Sequence, residues 1–280
     1  MSMDALPWQT AITRFAPNEI RIRGYCLTEL MGGVSFAEAV YLLFQSDLPT
    51  AEQAKLLEAI LLSVIDHGVT PPSTQAARTV ACTGTPLVSA VAAGMLAISE
   101  YHGGAVEAAM ELFYDTARRW EAGTRTATVV EELESIVATV LSEYKAAKRR
   151  LPGYGHRIHT DDPRTGRLLE LAHELGLCGQ FVTIAEAYAK ALAQTIRKNL
   201  PLNVDGAIAA LLCELGFPTE VASLVFAIGR LPGLSAHVYE ERTRQRPMRA
   251  INFTQAEYDG PAARNLYRNS GASSATPFSV

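Results

Sequence analysis

Three glycine-rich breaks in the sequence carry side chains that can exchange protons. His102 precedes Gly103-Gly104, His156 ends the run Pro152-Gly153-Tyr154-Gly155-His156, and Asp205 lies in Asn203-Val204-Asp205-Gly206. Glycine lets a ligand approach the backbone closely, and irregular breaks between helices are common places for functional groups. Two imidazoles and one carboxylate could together act as general acids and bases.

Each of these residues also has a structural interpretation. His102 could be a histidine at a helix start, and Asp205 could be an N-cap residue. His156 and His159 could share a metal ion, but no third ligand lies at a helpful spacing, so we predict no metal site.

Anion-binding candidates occur near the same breaks. Arg164 follows His156 by eight residues, and Arg230 is a single charge in apolar surroundings, where it needs an anionic partner or a route to solvent. His67, in Asp66-His67-Gly68, closes a predicted helix and could be a C-terminal cap instead of a ligand.

The elements that must position these residues are predicted to be helices. Alternating apolar and charged residues from 19 to 25 predict one short strand or hairpin arm, and further helices are expected at 124–150, about 184–198, about 204–215 and about 219–241. Capping boxes that mark helix starts are predicted at Ser35 with Glu38, Thr50 with Gln53 and Thr183 with Glu186. The small-residue segment 86–98 is apolar nearly all round, so we expect it to be buried in a bundle or at a subunit interface. The expected fold class is all-α.

Composition limits the function classes. The chain has 280 residues, 48% of them hydrophobic, and a net charge of −4. It therefore lacks the overall basic excess that would indicate nucleic-acid binding. The four cysteines form no CxxC pair, which favours reduced thiols. The longest apolar stretches, 56–65 and 86–98, are shorter than the roughly 20 residues of a membrane span, and the N-terminus does not resemble a signal peptide. We therefore expect a cytoplasmic protein without membrane partners.

Taken in order, these motifs resemble the citrate synthase superfamily from about Ile20 to about Arg249. Pro-Gly-Tyr-Gly-His, the later Asp162-Pro163-Arg164 and Asn203-Val204-Asp205 are its most specific parts. Within the superfamily the chain is most similar to citryl-CoA lyase and to the citryl-CoA lyase module of ATP-citrate lyase. His102 is a departure, because ATP-citrate lyases tend to have another residue there and citrate synthases a histidine.

The resemblance implies a catalytic set. His102 would hydrogen-bond the thioester oxygen as it becomes an enolate, and Asp205 would exchange a proton with the acetyl methyl carbon. His156 would act on the oxaloacetate carbonyl or, in reverse, on the citryl hydroxyl. No metal or redox cofactor is implied, and coenzyme A is the substrate carrier.

The resemblance also implies binding residues. The dicarboxylate ligands would be His67, Arg164 and Arg230, with Arg246 reaching in from a partner subunit and Arg249 as its competitor. Basic residues near the motifs are candidates for the CoA phosphates: Arg157, Arg197 and Lys198.

The implied architecture is an all-α homodimer with an active-site cleft between two domains that close on the ligand. We predict a large domain of residues 1–103 and 215–280 and a small domain of residues 104–214. Three functions stay open: citryl-CoA lyase, citrate or 2-methylcitrate synthase, and a catalytically silent oligomeric paralogue. The substrates would be acyl-CoA with oxaloacetate, or citryl-CoA.

Overall fold

The computed structural model describes residues 8–122, 129–155, 162–195, 200–250 and 257–264. These residues form three short strands, eleven α-helices and one 3-10 helix. The strands are β1 (Thr13–Ala16), β2 (Glu19–Ile22) and β3 (Tyr25–Cys26). The helices are α1 (Leu27–Leu30), α2 (Phe36–Gln45), α3 (Ala51–Ser63), α4 (Pro72–Ala81), α5 (Leu87–Leu96), α6 (Ala105–Glu121), α7 (Val129–Ala146), α8 (Pro163–Glu174), α9 (Gln180–Thr195), α10 (Val204–Glu214), the 3-10 helix Thr219–Val221 and α11 (Ala222–Arg244). The predicted all-α fold with a short N-terminal hairpin is confirmed.

The N-terminal strands form one antiparallel sheet in the order β1-β2-β3. The predicted strand is β2, with Ile20 opposite Phe15 and Ile22 opposite Tyr25. Arg23 and Gly24 both have positive φ angles, 49° and 92°, and make the tight turn from β2 to β3. β1 was not predicted, because its residues show no clean alternation of apolar and polar side chains.

The helix starts follow the predicted capping boxes in two cases out of three. The hydroxyls of Ser35 and Thr50 each accept a hydrogen bond from the N3 amide, and the side chains of Glu38 and Gln53 each accept one from the N-cap amide. The box at Thr183 is wrong, since α9 already begins at Gln180 and the Thr183 hydroxyl donates to the Gly179 carbonyl. The Glu214 carboxylate caps this helix instead, accepting from the amides of Gly179, Phe181 and Val182 at 2.9 Å each.

The centre of the core is α10. Every residue from 206 to 213 is buried, and the helix packs against α6, α9, α8 and α3. A second, smaller cluster joins α4, α5 and α11 through Ala77, Ala81, Ala90, Leu234 and Val238. The Asp205 motif therefore begins on the most deeply buried helix, which gives it a fixed position.

Helix α5 is only partly buried, which does not match the first of its two predicted locations, the centre of a bundle. Its small residues do allow close packing on α4, because a Cβ on Gly94 would lie 2.8 Å from the Ser73 carbonyl oxygen. The opposite face is open, with Val88 81% and Leu96 86% exposed. The alternative location, a subunit interface, stays a prediction.

One helical segment of the described residues, Thr219–Arg244, is long and apolar enough to cross a membrane. Half of its most apolar window is buried inside the fold. Core helices commonly meet the same length and composition test, so this segment is weak evidence for a membrane span.

Candidate active site

The Gly-rich histidine turn is tied to the start of α10. The Asn203 amide donates to the Gly153 carbonyl at 3.0 Å, and the Gly155 amide donates to the Pro201 carbonyl at 2.8 Å. The Asn203 side-chain amide adds a third bond, to the Gly155 carbonyl at 2.7 Å. The crossing is so close that a Cβ on Gly153 would lie 2.8 Å from the Gly206 Cα, so both positions require glycine. Two of the three motifs found in the sequence are thus held together by backbone.

Asp205 is not the N-cap of α10. Asn203 holds that position, and its side-chain oxygen accepts from the Gly206 amide at 3.0 Å. Asp205 lies in the first turn and is half-buried, at the helix end where the peptide dipoles favour negative charge. Since Asn203 does the capping, the N-cap interpretation of Asp205 is wrong.

His102 is presented by a tight turn ahead of α6. Ser99 and His102 exchange backbone hydrogen bonds of 2.9 and 2.8 Å, and Gly103 has a φ of +89°. The His102 Nε2 lies 2.7 Å from the hydroxyl of Ser73, a fully buried residue of α4. Burial lowers the pKa of His102, and the positive charges of Arg230 and His67 lower it further. A neutral imidazole at pH 7 is the result.

Arg230 is the charge around which the site is organised. The residue is 3% exposed, its Nε donates to the Val64 carbonyl at 2.6 Å, and its guanidinium lies 5.0 Å from the centre of the Phe226 ring. Its Nη1 is buried and has no hydrogen-bond partner among the described residues. A buried guanidinium with an unused donor is suited to bind a carboxylate.

The electrostatic surroundings of Arg230 bring the predicted residues together. Burial lowers the pKa of its guanidinium, Arg164 lowers it further by repulsion, and Asp66 and Asp205 raise it. Arg230 in turn acts on His102. His102, Arg164 and Asp205, which come from three different segments, are therefore within electrostatic reach of one buried arginine.

Arg164 and His67 complete the positive side of the site. The Arg164 guanidinium meets the buried Asp162 carboxylate with two bonds, Nε to Oδ1 at 3.0 Å and Nη2 to Oδ2 at 2.8 Å. Asp162 also caps α8 by accepting from the Arg164 amide. His67 is exposed and follows the end of α3, where its charge acts on His102.

Several predicted residues lie outside the described part of the chain: His156, Arg157, Arg197 and Lys198. The chain leading to His156 is described as far as Gly155. Of the two competing arginines after α11, Arg249 binds the buried Glu241, which also binds Arg78 at 2.8 Å. Arg246 is exposed and has no hydrogen bond or ion pair within the described ranges.

Three residues of the site were missed by sequence reasoning. Ser73 orients His102, Phe226 packs on both the His102 and Arg230 side chains, and His237 binds Asp66 at 2.9 Å. A signal for His237 was present, because it follows Arg230 by seven residues, or two helical turns, on a single predicted helix. Ser73 carried no such signal, since its meeting with His102 depends on tertiary packing.

Comparison with known proteins identifies the family of the chain. A family model described as "Citrate synthase, C-terminal domain" matches residues 49–251. The chain belongs to the citrate synthase family, and its fold is of that class.

Particular relatives add detail. Citryl-CoA lyase from Hydrogenobacter thermophilus is 43% identical, with a TM-score of 0.83 over 92% of this chain and 97% of that structure. Citrate synthase from Thermoplasma acidophilum, in a ternary complex with carboxymethyl coenzyme A and oxaloacetate, is 26% identical, with a TM-score of 0.66 over 84% of this chain and 59% of that structure. Citrate synthase from Heyndrickxia coagulans is 29% identical over 78% of this chain and 54% of its own length. The chain spans about half the length of the curated relatives it matches.

Proposed function

We propose that this protein cleaves citryl-CoA into acetyl-CoA and oxaloacetate. The observation that carries the proposal is the buried Arg230, with an unused Nη1 donor and with His102, Arg164 and Asp205 in electrostatic reach. Similarity to the Hydrogenobacter citryl-CoA lyase over nearly the full length of both chains supports the same reaction.

The positive side of the site suits a dicarboxylate. Arg230 and Arg164 repel one another, so a bound carboxylate would relieve that repulsion as well as satisfy a buried donor. We infer that the two carboxylates of the oxaloacetate portion bind to Arg230, Arg164 and His67. Arg246 of a second copy would add a further guanidinium.

The reaction needs only proton transfers around one carbon–carbon bond. His156, in the role implied by the resemblance, removes the proton from the citryl hydroxyl, and the new carbonyl forms as the bond to the thioester methylene breaks. The electron pair of that bond enters the thioester as an enolate. Protonated Asp205 then gives its proton to the methylene carbon, which yields acetyl-CoA. The net change is one proton moved from oxygen to carbon, and no water is consumed.

A neutral His102 can donate a hydrogen bond from its ring N–H to the enolate oxygen. If the Ser73 hydroxyl donates to Nε2, the ring proton resides on Nδ1, from which it can be donated to the substrate. The lowered pKa keeps this ring neutral without a proton-transfer step of its own. Loss of one such oxyanion donor typically costs about 10²–10³ in rate.

Coenzyme A is the expected carrier of the acyl group. The Thermoplasma relative was determined with a CoA derivative and oxaloacetate, which supports this assignment. We propose Arg157, Arg197 and Lys198 as contacts for its phosphates. We also propose a homodimer, supported by the exposed apolar face of α5 at Val88 and Leu96.

A synthase reaction is the second candidate. His102 is a histidine, as the resemblance implies for citrate synthases, and the Heyndrickxia relative is a citrate synthase. A synthase would use the same residues to join acetyl-CoA or another acyl-CoA to oxaloacetate, and would then hydrolyse the thioester and release free CoA thiol.

Release of free CoA thiol distinguishes the two reactions. Citryl-CoA is incubated with the protein while oxaloacetate is followed by a coupled reduction and free thiol by a disulfide dye. A lyase yields oxaloacetate with no thiol, whereas a synthase supplied with acetyl-CoA and oxaloacetate yields stoichiometric thiol. If neither reaction occurs with these or other acyl-CoA and keto-acid pairs, the catalytically silent paralogue is the better account.

A further inference from the structure

One face of α11 is built to hold the segment that carries His67. Gly229, Gly233 and His237 are spaced four residues apart and face residues 61–66. A Cβ on Gly229 would lie 2.8 Å from the Leu61 carbonyl oxygen, and one on Gly233 would collide with the Ile65 carbonyl oxygen. Only glycine at both positions permits this approach, which presses the segment onto the helix.

Asp66 is bound at both carboxylate oxygens. Its Oδ1 lies 2.9 Å from the His237 Nε2, and its Oδ2 accepts from the Gly68 amide at 3.0 Å. Burial alone would raise the pKa of Asp66, but the Gly68 hydrogen bond and the charge of His237 outweigh it and lower the pKa. The carboxylate therefore stays ionised and bridges α11 to the turn at Gly68, whose φ is +69°.

His67 lies between the two residues that this bridge connects. Its backbone is fixed on one side by Asp66 and on the other by Gly68, so the direction of its side chain depends on the bridge. His237 is largely buried, with 13% of its side chain exposed, and Asp66 is its hydrogen-bond partner among the described residues. Removal of either member would free the turn.

The same carboxylate acts on Arg230. Asp66 and Asp205 are the two acidic groups that favour the charged guanidinium, while Arg164 opposes it. In the proposed cleavage Asp205 must be protonated before it acts as an acid, which leaves Asp66 as the lasting negative charge of the two. Asp66 and His237 together thus affect both predicted dicarboxylate ligands: the position of His67 and the charge of Arg230.

We propose that Asp66 and His237 form a positioning pair that sets His67 and Arg230 for the dicarboxylate end of the substrate. The inference rests on the proposed function for the identity of the ligand. Neither residue is assigned a contact with the reacting atoms, so their removal should weaken binding of the dicarboxylate more than it slows the chemical step.

The test measures oxaloacetate binding by calorimetry and citryl-CoA kinetics for His237→Ala, His237→Gln and Asp66→Asn. We expect Kd for oxaloacetate and KM for citryl-CoA to rise about tenfold in His237→Ala, the usual effect of losing one charge-assisted hydrogen bond, with kcat changed far less. His237→Gln should recover part of the affinity, because its amide can donate to Asp66. His173→Ala, at an exposed position on α8, is the matched control and should change neither constant.

The double variant Asp66→Asn with His237→Ala should bind no worse than the weaker single variant, because both changes remove one bridge. Thermal unfolding of each variant distinguishes a folding defect from a binding defect. Unchanged oxaloacetate affinity in folded His237→Ala, or in folded Asp66→Asn if His237→Ala does not fold, would overturn the proposed positioning pair while leaving the proposed function intact. If the unaltered protein binds no oxaloacetate, the proposed function fails and this inference fails with it.

Discussion

Replacement of Gly153 by alanine should disconnect the histidine turn from the Asp205 segment. A Cβ at Gly153 would lie 2.8 Å from the Gly206 Cα, whereas ordinary contact begins at 3.4 Å, so backbone must separate by about half an ångström or more. A misplacement of 1 Å at an active site can cost about 10²-fold in rate. We therefore expect kcat for citryl-CoA cleavage to fall about tenfold or more.

Two further variants separate crowding from backbone strain. Gly153 has a φ of +82°, so alanine there also costs about 1–2 kcal/mol of left-handed strain. Gly176 has a φ of +69° with nothing within 4 Å, so Gly176→Ala should carry the strain without the crowding. Gly206→Ala should carry the crowding without the strain, because Gly206 is a helical residue that touches the Gly153 carbonyl.

Steady-state kinetics and urea unfolding of the three variants provide the assay. The account requires Gly153→Ala and Gly206→Ala to lose activity, and Gly176→Ala to lose stability alone. Full activity in a folded Gly206→Ala would refute the reasoning, since the crossing would then play no part in positioning the two motifs.

The remaining predictions concern the acid–base groups themselves. Asp205→Asn should lower kcat by about 10²–10⁴ in steady-state kinetics, the usual contribution of a general acid, with the circular dichroism spectrum retained because Asn203 caps α10. Ser73→Ala should lower kcat about tenfold, since one buried hydrogen bond to His102 is lost, and an unchanged kcat would remove Ser73 from the account. An NMR titration should place the pKa of His102 below its ordinary value of 6.5, and Arg230→Gln should raise it only in part, because burial is the larger cause. Because the pKa of His102 is lower in the folded state, the unfolded state takes up this proton at a higher pH. The contribution of His102 to stability is therefore intact above pH 6.5 and is lost as the pH falls below it. A pKa of His102 above 6.5 would contradict the neutral donor.

Much of the secondary structure could be predicted because its signals are local. The capping boxes at Ser35 and Thr50 and the alternation in β2 depend only on residues a few positions apart, and all three are present. The predicted start of α9 was wrong because the group that caps this helix is distant in the sequence. Its cap is the carboxylate of Glu214, from a different helix, and no local pattern reveals that partner.

In the candidate site, too, some features could be predicted from local sequence and others depend on contacts between distant segments. The glycines at 153 and 206 were visible as breaks, but only the structure explains them, by the contact of one with the other. The sequence left Asp205 open between cap and catalytic group, and the bond from Gly206 to Asn203 decides against the cap. The sequence left α5 open between the centre of a bundle and a subunit interface, and the exposed Val88 and Leu96 show that the described residues of its own chain do not cover it. The domain boundaries and the assigned roles of the site residues stay predictions.

The most direct measurement is the isotopic composition of acetyl-CoA formed from citryl-CoA in D₂O under single-turnover conditions. In the proposed mechanism Asp205 exchanges its proton with solvent before it protonates the enolate, so mass spectrometry should find one deuterium in each acetyl methyl group. The Asp205→Asn variant should form this product far more slowly. Formation of free CoA without acetyl-CoA, or an undiminished rate in Asp205→Asn, would contradict carbon–carbon cleavage at this site.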